Sequence, residues 1–176
     1  MTRRFGHSDQ FLTCVNPETQ IAFAKNPRAA IMGDYPTLTD IRETYGPTFP
    51  TQWLMPQIVD VSLFVGVKNL DQRQQMQLAQ VIATEYHYLK VTELLLFFYR
   101  FKTGRYGRFY GAVDPLIVTS ALHEFIFERN EMLDQYEQEN REAREAEERR
   151  RNPPMTREEW IEIKTLIAMY NSDYTL

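Results

Sequence analysis

The chain has 176 residues, a net charge of −4, 43% hydrophobic and 13% aromatic residues, and one cysteine. That size and apolar content suit a single folded domain. The acidic balance gives no bulk attraction to nucleic acid or an anionic membrane, so such a contact needs a local basic patch; the lone Cys14 excludes an intramolecular disulfide and a thiolate metal cluster.

The first residues, Met1-Thr2-Arg3-Arg4-Phe5-Gly6, are basic without an apolar run behind them, so no signal peptide is expected and the expected location is cytoplasmic. Residues 1–16 read as a poorly ordered segment. Asn16-Pro17 and Asn26-Pro27 each set a capping residue before proline, which predicts short helices over 17–25 and 27–32, stopped by Gly33 and Pro36. Thr37 to Tyr45 predicts another, ended by Gly46-Pro47. From Thr51 to Val65, Trp53, Leu54, Ile58, Val61, Leu63, Phe64 and Val65 cover more than one helical face, as in a largely buried helix; Pro56 either kinks it or marks its first turn. Asp71 caps a helix that turns apolar at Met76, Ala79, Val81, Ile82 and Tyr86. The next helix, about 91–102, is apolar nearly all round and should be central. Its run from Val91 to Phe101 is interrupted by Thr92, Glu93 and Arg100 and is too short to span a membrane.

Asp114-Pro115 opens a helix with Leu116, Ile117, Ala121, Leu122, Phe125 and Ile126 towards one side. Beyond Leu133 the apolar periodicity stops. Glu137/Arg141, Arg144/Glu148, Glu145/Arg149 and Glu147/Arg151 are opposite charges four apart, each pair adding roughly 0.2–0.5 kcal/mol to an isolated helix. A solvated helical arm follows, without a coiled-coil seam. Asn152-Pro153-Pro154 ends it, Thr156 and Glu159 form a capping box, and the last helix presents Trp160, Ile163, Ile167 and Tyr170 in a stripe that must bury on the domain or on a partner.

The loop from Lys102 to Gly111 interleaves Lys102, Arg105 and Arg108 with Tyr106, Phe109 and Tyr110. Arginines that hold phosphates, aromatics that stack bases and glycines that admit a close backbone would make a nucleic-acid contact. The competing reading is that the aromatics pack down as a plug while the cations are merely solvated. Its glycine spacing matches no nucleotide-binding fingerprint, since it follows a helix and lacks the Gly-Lys-Ser/Thr ending. His123-Glu124 starts like a zinc-protease helix but has Phe127 where the second histidine belongs, so no metal site is expected. His7 and His87 are isolated, and Cys14 lacks the partners of a nucleophile. Glu93 is expected either to serve the start of its helix or to pair with an arginine such as Arg105. Trp53, Trp160 and the methionines read as core. No catalytic residue and no cofactor are assigned.

The segment Glu93-Leu94 … Phe97-Phe98 … Phe101-Lys102 … Gly104-Arg105-Tyr106-Gly107-Arg108-Phe109-Tyr110-Gly111 … Asp114-Pro115 resembles a family of small, functionally unassigned proteins encoded on phages and conjugative elements of gut anaerobic bacteria. The resemblance takes in roughly residues 14 to 130. It implies replication or transfer accessories and brings no catalytic residue with it.

The expectation is therefore an all-α protein: a compact bundle of about six helices, a long charged helical extension, and a C-terminal helix. Residues 17–136 form the core domain and 137–176 the arm with its last helix. Three functions stay open. The first is a non-enzymatic accessory of mobile-element DNA metabolism, with the nucleic-acid site at Lys102, Arg105, Tyr106, Arg108, Phe109 and Tyr110 and the protein-partner site at Trp160, Ile163, Ile167 and Tyr170. The second is a structural protein in which the last helix self-associates. The third is an enzyme acting on a nucleotide or phosphate at the 102–111 loop.

Overall fold

A computed structural model of the chain describes residues 5–65, 70–107 and 114–172. Among these residues the fold is all-α, in two compact units, Met1–Leu133 and Asp134–Leu176. The helices are α1 (Ser8–Cys14), α2 (Gln20–Lys25, after a 3₁₀ turn at Pro17–Thr19), α3 (Pro27–Met32), α4 (Leu38–Tyr45), α5 (Phe49–Val65), α6 (Gln72–Glu85), α7 (Val91–Lys102), α8 (Pro115–Arg151) and α9 (Arg157–Ser172). The division between the units falls inside α8, which is one continuous helix into the charged segment. None of the described helices is long and apolar enough to cross a membrane.

Local chemistry sets most of these starts. The Asn16 side chain accepts from the Glu18 and Thr19 amides, Asn26 from Ala29, Thr37 from Asp40 and Asp71 from Gln74, each supplying a partner to first-turn N–H groups that the helix leaves unpaired. Tertiary packing sets the others. The expectation of a poorly ordered segment over residues 1–16 fails for α1: Phe11 is fully buried, its ring 5.5 Å from those of Phe5 and Tyr45 and 5.7 Å from Phe49. The Val15 carbonyl accepts the buried Trp53 indole N–H at 2.7 Å. A seven-residue helix has too few hydrogen bonds to persist alone, so this docking holds it. α5 begins two residues before the expected Thr51, so Pro56 lies in its interior rather than its first turn. Trp53, Leu54, Ile58 and Val61 are buried, but Leu63 and Phe64 are exposed, with the Lys102 ammonium 5.5 Å from the Phe64 ring centroid.

α7 is the centre of the first unit. Nine of its residues, Val91 to Phe98 and Phe101, are buried, so it has no solvent face and must be enclosed by other helices. α2, α3 and α5 supply that wall. Its entry is bolted down before the helix begins. Leu38 N–H donates to the Leu89 carbonyl and Val91 N–H to the Pro36 carbonyl, an antiparallel bridge of Thr37 with Lys90. The Lys90 ammonium donates to the Ile31 and Gly33 carbonyls at 2.8 Å each, placing a cation on the open C-terminal end of α3. Two residues further, Thr92 Oγ1 donates to the Ala30 carbonyl.

Glu93 then joins α7 to α8. Its side chain is 0% exposed. One carboxylate oxygen accepts the Lys90 N–H at 2.8 Å and the other accepts Arg129 Nε at 2.7 Å. The expected service to the helix start is present, while the arginine is Arg129 of α8 and not Arg105. Phe97 and Phe125, each four residues from Glu93 or Arg129 on its own helix, meet with ring centroids 5.7 Å apart. Removing one partner strands a buried charge, so Arg129→Ala should cost about 3–5 kcal/mol in denaturant unfolding. Exchanging both Glu93 and Arg129 for Met should recover most of that loss, short by about 1 kcal/mol for the forfeited Lys90 cap. A double variant as unstable as the single one would show that the pair is not the source.

Candidate functional site

α7 ends in a Schellman motif that aims the expected site residues. The Gly104 N–H donates to the Phe101 carbonyl and the Arg105 N–H to the Arg100 carbonyl, with Gly104 left-handed at φ +76°. The chain is thereby turned back along α7. Arg105 Nε lies 2.9 Å from Glu128 Oε1, and Arg100 donates to Glu128 Oε2 at 2.8 Å, so one carboxylate on α8 holds two guanidinium groups. The hydrogen bond to Glu128 raises the Arg105 pKa further, and the group stays charged. Lys102 instead reaches α5, its ammonium 2.6 Å from Asp60. The two cations are held on different helices.

Tyr106 packs against the core. Its ring stacks on Phe97 at 5.9 Å between centroids with 30° between planes. Its hydroxyl is buried beside the Arg100 guanidinium but makes no hydrogen bond of good geometry. Burial, seconded by the Glu128 charge, pushes the phenol up to about 12, against the opposing pull of Arg100 and Arg105. Arg108, Phe109 and Tyr110 lie outside the described residues.

The groups that an enzyme would need have structural neighbours. His123 Nε2 lies 3.1 Å from the Tyr86 hydroxyl, at a groove of about 490 Å³ between α6 and α8 walled by Leu78, Val81 and Leu116. Burial raises the Tyr86 pKa, with Tyr88 and Glu85 adding to it. His87 Nδ1 lies 3.1 Å from Thr39 Oγ1, and Cys14 is exposed. Among the described residues no group of three or more His, Cys, Asp or Glu is placed to hold a metal ion.

The second unit carries the other expected site. Thr156 and Glu159 close the capping box: the Thr156 N–H donates to Glu159 Oε2 at 2.8 Å and the Glu159 N–H to Thr156 Oγ1 at 3.2 Å. The expectation that Trp160 belongs to a core does not hold. Trp160, Ile163, Ile167 and Tyr170 are 54%, 42%, 56% and 64% exposed, and Leu166 is exposed beside them. Along the charged part of α8, none of the four expected ion pairs closes among the described residues. Arg141 donates to Gln138 and Arg144 to the Asn140 carbonyl instead. Fully solvated charges gain little from pairing over staying hydrated.

Glu128 and Arg129 are site residues to which the sequence reading gave no role. The available signal was two adjacent opposite charges one turn beyond Phe125, on the same stripe of α8 that buries Val118, Ala121 and Leu122. A model of a protein family matches residues 69–171, more than half of the chain. The chain belongs to DUF6633, a family of unknown function. No curated protein and no solved structure matches it. The DUF6633 match contains the Glu93-to-Pro115 stretch, starts well after residue 14, and continues past residue 130 through the charged arm and most of α9.

Tyr106→Phe deletes this poorly satisfied hydroxyl without touching the ring, and should raise stability by about 1 kcal/mol. A phenol held protonated in the fold favours the folded state less as the unfolded phenol ionises. Stability should therefore fall as the pH rises from about 10 to about 12, and Tyr106→Phe should flatten that fall. Denaturant unfolding of both proteins across this range is the measurement; an unchanged alkaline limb would refute the burial of the hydroxyl.

Proposed function

We propose that this protein is a non-enzymatic interaction module. The core unit is the scaffold, and the exposed apolar face of α9 docks a helical protein partner. The observation that carries this reading is the stripe itself. Trp160, Ile163, Ile167 and Tyr170 recur at spacings of three and four along a capped helix, and all four are exposed. A 16-residue helix is marginal alone in water, and its apolar side chains gain roughly 25 cal/mol for each Å² removed from solvent. Groove-docked helices use the same i, i+3, i+4, i+7 anchors. The family match reaches residue 171, so the arm and nearly all of α9 belong to the shared segment. The setting we propose, from the resemblance to phage and conjugative-element proteins, is accessory work in the replication or transfer of a mobile element.

A nucleic-acid contact through Lys102, Arg105 and Tyr106, with Arg108, Phe109 and Tyr110, is the second reading. It is favoured by one observation: the Arg105 side chain is 52% exposed at a turn built on two left-handed glycines. Against it, a phosphate must compete with Asp60 for Lys102 and with Glu128 for Arg105, while Tyr106 is committed to Phe97.

A photoreactive amino acid at Ile163, in the cells where the protein is native, should give a discrete adduct that the same group at Thr165, on the opposite side of α9, does not give. Adducts of equal yield from both positions, or none from either, would remove the docking reading.

A further inference from the structure

We infer that α9 pairs in parallel with α9 of a second copy of this chain. This rests on the docking reading above and commits it to one occupant. Trp160, Ile163, Ile167 and Tyr170 occupy the a, d, a and d positions of two consecutive heptads, and Leu166 widens the seam at a g position. Glu158, Glu162 and Thr165 lie away from the seam, on a back that also carries the exposed Ile161 and Met169.

The charges beside the seam select both the occupant and its direction. With Trp160 at a, Glu159 falls at g and Lys164 at the following e. In a parallel pair, a g residue faces the e residue five positions later in the other helix. Glu159 of each copy then meets Lys164 of the other, and the two-fold axis makes the contact twice. In an antiparallel pair the e positions face each other, so Lys164 would stand against its own copy. Opposite charges on one side of the comparison and like charges on the other decide orientation more than they add affinity. Both side chains already flank the seam. Glu159 uses Oε2 on the Thr156 N–H and keeps Oε1 for another donor. Lys164 lies along Trp160, its ammonium 4.9 Å from the ring centroid. Two heptads make a short seam, so the association should depend on concentration.

The test uses the full chain with Cys14→Ser, which removes the exposed thiol. Sedimentation equilibrium from about 1 µM to about 0.5 mM covers weak specific association. The mass should rise from one copy to two, and Ile167→Asp should abolish the rise with circular dichroism of the core intact. Lys164→Glu sets carboxylates against each other and should weaken association about tenfold. Mixing the Lys164→Glu chain with a Glu159→Lys chain should restore it as a heterodimer. For direction, spin labels on Glu158→Cys lie level in a parallel pair, whereas an antiparallel pair separates them by roughly 20 Å along the axis. A mass of one copy throughout, Lys164→Glu associating as tightly as the native chain, or labels at the longer spacing would each overturn the inference. A one-copy mass together with an Ile163 adduct to another protein removes self-pairing and leaves the docking reading standing. A one-copy mass with no adduct removes both.

Discussion

The carboxylate of Glu93 is the constraint on which the first unit depends. A carboxylate with no solvent contact is several kcal/mol worse off than in water unless donors surround it. Here they come from two directions: the Lys90 amide at the head of its own helix, and Arg129 from α8. The amide fixes where α7 starts. The guanidinium fixes which part of α8 crosses it, and so brings Phe125 onto Phe97 and Glu128 to Arg100 and Arg105. α8 buries Val118, Ala121, Leu122 and Phe125, with Ile126, Met132 and Leu133 packed against the core beside them. Its register on α7 rests on this pairing as much as on packing.

Lys90 extends the same logic to the other end of the unit. Its backbone serves Glu93 while its ammonium holds the last carbonyls of α3, so one residue connects a helix end, a helix start and the buried carboxylate between them. The basic loop after α7 is drawn into the network in turn. Arg105 and Lys102, which look like free cations in a glycine-rich loop, each hold a carboxylate on a separate helix. Their charge is largely matched before any ligand arrives.

What could be read from the sequence was what is decided locally. Asn16, Asn26, Thr37, Asp71 and Thr156 mark their helix starts because a cap needs only a side-chain oxygen and an amide a few residues on. The central position of α7 was legible because Leu94, Leu95, Phe97, Phe98 and Phe101 leave no polar face. The choice between Arg105 and Arg129 for Glu93 was not, since either has the reach and the donors, and only the crossing of α7 with α8 selects one. α1 was hidden for a similar reason: Phe11 is one aromatic in a polar stretch, and its value comes from Tyr45 and Phe49. Trp160 was misplaced because an apolar stripe at helical spacing reads alike whether its covering surface is in the same chain or elsewhere.

The family segment begins at residue 69, yet the wall around its central helix is built from α2, α3 and α5, all earlier in the chain. Thr92 reaches back 62 residues to Ala30, and Lys90 reaches 59 to Ile31. During synthesis these wall helices leave the ribosome first, with apolar faces shaped for a helix that does not yet exist. The centre that these helices enclose is supplied only once the chain has grown past Lys102. Contacts so distant in sequence slow the search and leave the nascent N-terminal half exposed to aggregation for the interval. Chaperone dependence during translation, rather than after release, is the cellular trace that this placement of α7 would leave.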